Sequence, residues 1–128
     1  MENVIPILLK HRVAGIWLAF PKSGSDHAPL ISAIRNLREK EAWDVKVFVQ
    51  VGTITAAREA IEQEADILVA QGGDAGGHQF AQGASIVALV PEVRDMLREM
   101  GKSDEVSVVA AGGIVDGRGC VAAMSLGK

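Results

Sequence analysis

A chain of 128 residues with 48% hydrophobic side chains is long enough for one domain with its own core, and residues 1–128 are read as a single domain. Its net charge of −3 and lack of a basic stripe argue against nucleic acid or an anionic membrane as partner, and a single cysteine, Cys120, excludes an internal disulfide. No apolar run approaches the ~20 residues that span a bilayer, and no basic-then-apolar start marks a signal peptide, so a cytoplasmic location is expected.

Along the chain, Val4, Ile5, Leu8 and Leu9 recur at helical spacing within residues 3–11, with Pro6 near the helix start. Residues 14–20 (AGIWLAF) read as a strand, stopped by Pro21 and a Ser-Gly-Ser loop. Asp26 is the expected N-cap of a helix that carries Leu30, Ile31, Ile34 and Leu37 on one face. Residues 44–51 form the next strand. After Gly52, Thr53 or Thr55 caps a helix with Ala56, Ala57, Ala60 and Ile61 inside. A third strand, residues 66–70, runs into Gln71-Gly72-Gly73-Asp74-Ala75-Gly76-Gly77-His78. Residues 85–100 are helical, with Pro91 marking a start or a kink. A fourth strand, residues 106–110, leads to Ala111-Gly112-Gly113, and residues 117–126 form a last helix capped by Asp116.

Strands alternating with helices predict an α/β fold with a parallel sheet and right-handed crossovers. Four parallel strands are half the set of an eight-stranded barrel, and a small open sheet is the other arrangement this pattern allows.

Two glycine turns at strand ends, one carrying a histidine, point to a cofactor site. Glycine lets the backbone approach a planar or phosphorylated ligand closely. His78 stands where a proton-transferring base needs reach and partial exposure, although a loop histidine can also serve only the backbone. Gly112 and Gly113, between a strand and a helix start, suit a phosphate, and they equally suit a plain tight turn. The G-x-G-x-x-G spacing of a dinucleotide site is absent. Gln50 and Gln71 end two different strands, and in a barrel such ends converge. Asp74 is read as fixing its own loop, Trp17 and Phe20, near a strand end, as core packing in preference to a pocket lining, and Arg118 and Cys120 as surface positions without a role. His11 and His27 are read as structural or solvated. Three isolated histidines without matching cysteine or carboxylate spacing predict no metal site.

The run from Gln71 to His78 resembles the Q-G-x-E-A-G-G-H motif of the nitronate monooxygenases, formerly called 2-nitropropane dioxygenases. Residues 110–118 (AAGGIVDGR) resemble their A-A-G-G-I-x-D-G-R motif, and residues 49–53 and 89–93 are similar to family segments in the same order. The family is a set of FMN-dependent (β/α)8 barrels. The resemblance therefore implies that these strands are about the fourth to seventh of a barrel, a half barrel that lacks the first three strands and the last. It implies His78 as the catalytic base, and Gln50, Gln71, Gly76 and Gly77 as flavin contacts. Ala111, Gly112 and Gly113 match the flavin phosphate turn. The implied reaction oxidises nitroalkanes or alkyl nitronates with O2 to carbonyl compounds and nitrite. Asp74 departs from the family's glutamate, and Gln79-Phe80 follows the histidine where glycine is common. An FMN-dependent enoyl-acyl-carrier-protein reductase has a similar glycine-histidine turn and is the alternative enzyme. A truncated, non-catalytic flavin-barrel fragment is the alternative from another class. Half a barrel exposes strand edges, so a homo-oligomer that covers them is a further expectation.

Overall fold

A computed structural model describes residues 4–127. The elements are α1 (Ile5–Lys10), β1 (Gly15–Leu18), α2 (Ala28–Lys40), β2 (Lys46–Val51), α3 (Ile54–Glu62), β3 (Ile67–Gln71), α4 (Ile86–Glu99), β4 (Ser107–Ala111) and α5 (Gly117–Leu126). The expected helix at residues 3–11 is shorter at both ends, and Asn3 lies outside the described residues.

The four strands are parallel in the order β1-β2-β3-β4. Strand order follows chain order, as in a barrel wall, and β1 and β4 form the edges. Register decides which side chains share a face. Ile16 and Leu18 align with Val47 and Val49, Val49 and Val51 with Leu68 and Ala70, and Leu68 and Ala70 with Val108 and Ala110. This aliphatic face packs against the helices. Ile31 and Ile34 of α2, Ala57, Ala60 and Ile61 of α3, and Leu89, Val90, Val93 and Leu97 of α4 complete one core with it. Each fully buried Leu, Ile or Val contributes about 1.5–3 kcal/mol. The opposite face carries Trp17, Phe48, Gln50, Val69, Gln71 and Val109, none of which belongs to that core cluster.

The helix starts divide into two kinds. Thr53 Oγ1 accepts from Ala56 N at 3.2 Å and Ser85 Oγ accepts from Val87 N at 3.4 Å, so α3 and α4 have side-chain caps. The helix α2 does not. His27 occupies its N-cap position without a side-chain cap bond. Asp26, expected there, instead closes the preceding loop by accepting from Lys22 N, Ser23 N and Ser23 Oγ. Those Ser23 hydrogen bonds hold its carboxyl below the ordinary aspartate range. Pro91 lies inside α4 and does not start it.

One helix is seated differently. No residue of α5 is buried: the helix packs against α4, only Leu126 reaches the core, and Val121 and Met124 stay exposed.

Candidate active site

In a parallel β/α sheet the C-terminal strand ends lie on one edge, and loops leaving that edge form the site. Here that edge carries Trp17, Gln50, Gln71 and Ala111, and the loop after β3 carries His78. The side chains are joined in a row. Trp17 Nε1 donates to Gln50 Oε1 at 2.9 Å, Gln50 Nε2 donates to Gln71 Oε1 at 2.7 Å, and Gln71 Nε2 donates to the carbonyl of His78 at 2.9 Å. Three strands and the histidine loop are thus tied together at one level.

The His78 imidazole is exposed and, among the described residues, has no hydrogen-bond partner. Phe20 lies beside it, ring centroids 6.1 Å apart, and Phe20 meets Phe80 at 5.0 Å. Phe20 also holds a left-handed backbone, φ 52°. For a bulky side chain this costs about 1–3 kcal/mol, and such strain gathers at ligand sites. Trp17 and Phe20, expected in the core, are instead 57% and 43% exposed. The alternation along β1 is the reason: Ile16 and Leu18 face the helices, so Trp17 between them must face away, where it stacks on Phe48. That alternation was available in the sequence. The approach of Phe80 to Phe20 was not, because residues 72–85 have no period to read.

The two glycine turns abut. Gly112 and Gly113 have φ of 100° and 71°, and a Cβ on Gly112 would lie 3.0 Å from the Gly72 carbonyl oxygen. Gly72 N donates to Ala111 O at 2.9 Å and extends the β3–β4 ladder. These glycines are required by the fold itself. Gly76 and Gly77 differ: a Cβ on either would meet nothing within 4 Å, and neither has a positive φ. The fold places no demand for glycine at these two positions, and they open onto free space beside His78.

Asp74 anchors the loop. Its carboxylate accepts from Ile86 N and Ser85 Oγ, both at 3.0 Å, and the backbone N–H of Ile86 followed by the Ser85 hydroxyl keeps its carboxyl below the ordinary aspartate range. Asp116 caps α5 by accepting from Arg118 N and Gly119 N, and pairs with the Arg118 guanidinium. The Arg118 side chain, then those two N–H groups, holds its carboxyl low. The first N–H groups of α5 are therefore already engaged, beside a negative charge. An anion at Gly112-Gly113 would take its donors from the turn and not from the helix start.

His27, the one buried polar residue of the described chain, lies behind this edge. A cavity of about 220 Å³ runs to it from Gln50 and Phe80. Burial lowers its pKa, with a hydrogen bond to the Ala19 backbone and the Asp26 charge acting the other way. Among the described residues no three His, Cys, Asp or Glu side chains cluster to hold a metal, and no helix is long and apolar enough to cross a membrane.

The family model described as "Nitronate monooxygenase" matches residues 29–128. The chain belongs to the nitronate monooxygenase family. It is 47% identical to a nitronate monooxygenase of Neurospora crassa, an alignment that covers 98% of this chain and 34% of that protein. A nitronate monooxygenase of Metarhizium robertsii is 41% identical, with 99% and 34% covered. This family member thus spans about a third of the length of the curated relatives it matches. Among solved structures, the M276A mutant of FabK from Thermotoga maritima superposes with a TM-score of 0.74 at 28% identity, over 98% of this chain and 36% of that one. A nitroalkane oxidase from Streptomyces ansochromogenes superposes with a TM-score of 0.72 at 24% identity, over 98% and 34%. Both neighbours are TIM-barrel enzymes, so the choice between barrel wall and open sheet falls to the barrel: the chain is a run of β/α units from a (β/α)8 fold.

Proposed function

We propose that this chain forms part of the active site of an FMN-dependent nitronate monooxygenase, which oxidises nitroalkanes or alkyl nitronates with O2 to carbonyl compounds and nitrite. The observation that carries this reading is the placement of His78. Its imidazole is open to a ligand while its main chain is held by Gln71 at the catalytic edge of the sheet. Membership of the family supplies the reaction class.

The residues fit the cofactor. The Ala111-Gly112-Gly113 turn offers left-handed backbone of the kind that gathers N–H groups around a phosphate. Gly76 and Gly77 leave room for a flat ring to approach. After the row of hydrogen bonds is made, Gln50 and Gln71 each retain one N–H and one oxygen lone pair for that ring. When bound, FMN supplies the electron acceptor through which O2 is reduced. The protein's own part is proton transfer and orientation. His78 takes the α-proton of a neutral nitroalkane onto a ring nitrogen, and the resulting cation stays beside the nitronate. Phe20 and Phe80 give the substrate's alkyl part an apolar wall and exclude water there. A preformed nitronate needs no such proton transfer, so His78 matters less for it. Self-association through the open edges of β1 and β4 belongs to the same proposal.

An FMN titration of the purified chain, followed by flavin fluorescence quenching, tests the site. Saturable binding, micromolar or tighter, supports it, and a folded chain that binds no FMN assigns the chemistry to a longer protein. With binding in hand, His78→Asn should keep FMN affinity and lose about 100-fold or more of turnover on neutral nitroalkanes. Equal turnover in variant and parent would remove His78 from the reaction.

A further inference from the structure

An indole N–H can only donate and a backbone carbonyl can only accept. Trp17 therefore requires the oxygen of the Gln50 amide to face β1, which turns the Gln50 nitrogen towards Gln71. That nitrogen needs the Gln71 oxygen, so the Gln71 nitrogen faces the carbonyl of His78. Both ends of the row demand the same orientation of both amides. Flipping either one sets oxygen against oxygen or N–H against N–H. An isolated amide has no such preference, since its two ends are nearly the same shape. The indole itself is fixed by stacking on Phe48, with centroids 6.2 Å apart and planes 14° from parallel. Its 57% exposure shows that burial is not its main contribution.

We propose that Trp17 is a positioning residue for His78: its indole N–H, together with the His78 carbonyl at the other end, locks the direction of a hydrogen-bond row through Gln50 and Gln71 that holds the His78 main chain and presents both amides to a ligand in one orientation. The row involves three side chains and one main-chain carbonyl of this chain and no ligand. Its consequence for turnover rests on the reading of His78 as the base.

Two variants separate direction from packing. Trp17→Phe removes the N–H donor and keeps a ring to stack on Phe48. Gln50→Glu keeps the acceptor for Trp17 but removes the donor to Gln71, whose amide must then turn its oxygen towards the His78 carbonyl. Backbone 15N relaxation of the 128-residue chain should show residues 76–79 changing from rigid, with order parameters about 0.85, to below about 0.6 in Gln50→Glu, with a smaller fall in Trp17→Phe, where the His78 carbonyl still favours the same amide orientation. Urea unfolding midpoints close to the parent's would show that the sheet is intact. In Gln50→Glu the loop should order again as pH falls through the introduced carboxyl's range, about 4.3 for a free glutamate, because the protonated acid can donate to Gln71. Asp74 retains its charge lower than an ordinary aspartate, so the loop anchor outlasts that change. In the FMN-loaded Trp17→Phe protein, which leaves both amides in place, kcat should fall roughly tenfold with KM unchanged. Unchanged order in residues 76–79 in both variants, or no recovery with acid in Gln50→Glu, overturns the row. A loosened loop with unchanged turnover upholds the row and overturns the role given to His78.

Discussion

At the N-terminal edge of the sheet, Asp66 accepts from Arg38 Nη1 at 2.9 Å and from Val47 N at 2.8 Å, which ties α2, β2 and the start of β3 together with a half-buried charge pair. A second pair, Arg35 to Glu64, lies close by. At the C-terminal edge β1, β2 and β3 are joined by neutral amides and an indole, and the imidazole of the nearest histidine has no hydrogen-bond partner among the described residues. The difference is one of residual capacity. The charged end uses its hydrogen-bonding groups on the protein itself. The neutral end is ordered while each amide keeps a donor and an acceptor for something else. One end holds the fold together, and the other is ready for a ligand at little cost to stability.

The largest expected effect breaks the N-terminal edge. Asp66→Ala leaves the Val47 N–H, on a fully buried residue, without its partner and strips Arg38 of its carboxylate. It should cost about 3 kcal/mol in urea unfolding, with FMN affinity of the folded fraction unchanged. A loss below about 0.5 kcal/mol would mean that this edge is not what holds the sheet.

The glycine turns sharpen the contrast within one edge. Gly112→Ala forces a side chain onto φ 100° and against the Gly72 carbonyl, and should destabilise by about 1–3 kcal/mol. Gly77→Ala meets nothing, so stability should change by less than about 0.5 kcal/mol, while FMN affinity falls roughly tenfold. If both substitutions act alike on stability, the distinction between fold glycines and ligand glycines fails.

The acid responses are smaller. The folded-state pKa of His27 lies below its unfolded value, so the unfolded chain takes up the proton first. Its contribution is complete above about pH 6.5 and is lost as pH falls through the folded value. Urea midpoints should therefore drop between pH 7.5 and 5.5, and His27→Gln should flatten that slope. Asp74 follows the same sign in a lower window, its contribution present above about pH 3.9 and lost as pH falls through its depressed value. In Asp74→Asn the acid limb below pH 4 should be shallower, and an identical limb would show that the Ile86 and Ser85 hydrogen bonds add nothing there.

Much of this architecture was legible in residue patterns. Alternating β and helical periods order the elements, and α5 and the capping role of Asp116 follow directly from local chemistry, whereas the choice of Thr53 over Thr55 as the cap of α3 is made by the structure. Asp26 departs from its expected capping role because its carboxylate has two competing sets of N–H groups within reach, and the Ser23 turn prevails over the helix start. Trp17 departs from the core position that a large aromatic on a strand suggests, because its parity on β1 places it on the uncovered face.

By itself, the sequence determined the family, the parallel β/α order and the positions of His78, Gln50, Gln71 and the glycine turns, because periodicity, turn chemistry and motif spacing are local properties of a chain. Tertiary structure alone decided which glycines the fold requires, which aromatics meet His78, and in which direction the Trp17–Gln50–Gln71 row runs. Those outcomes depend on strand register and on the meeting of loops distant in sequence, and a hydrogen bond acquires a direction only when its donor-only and acceptor-only ends are brought into contact.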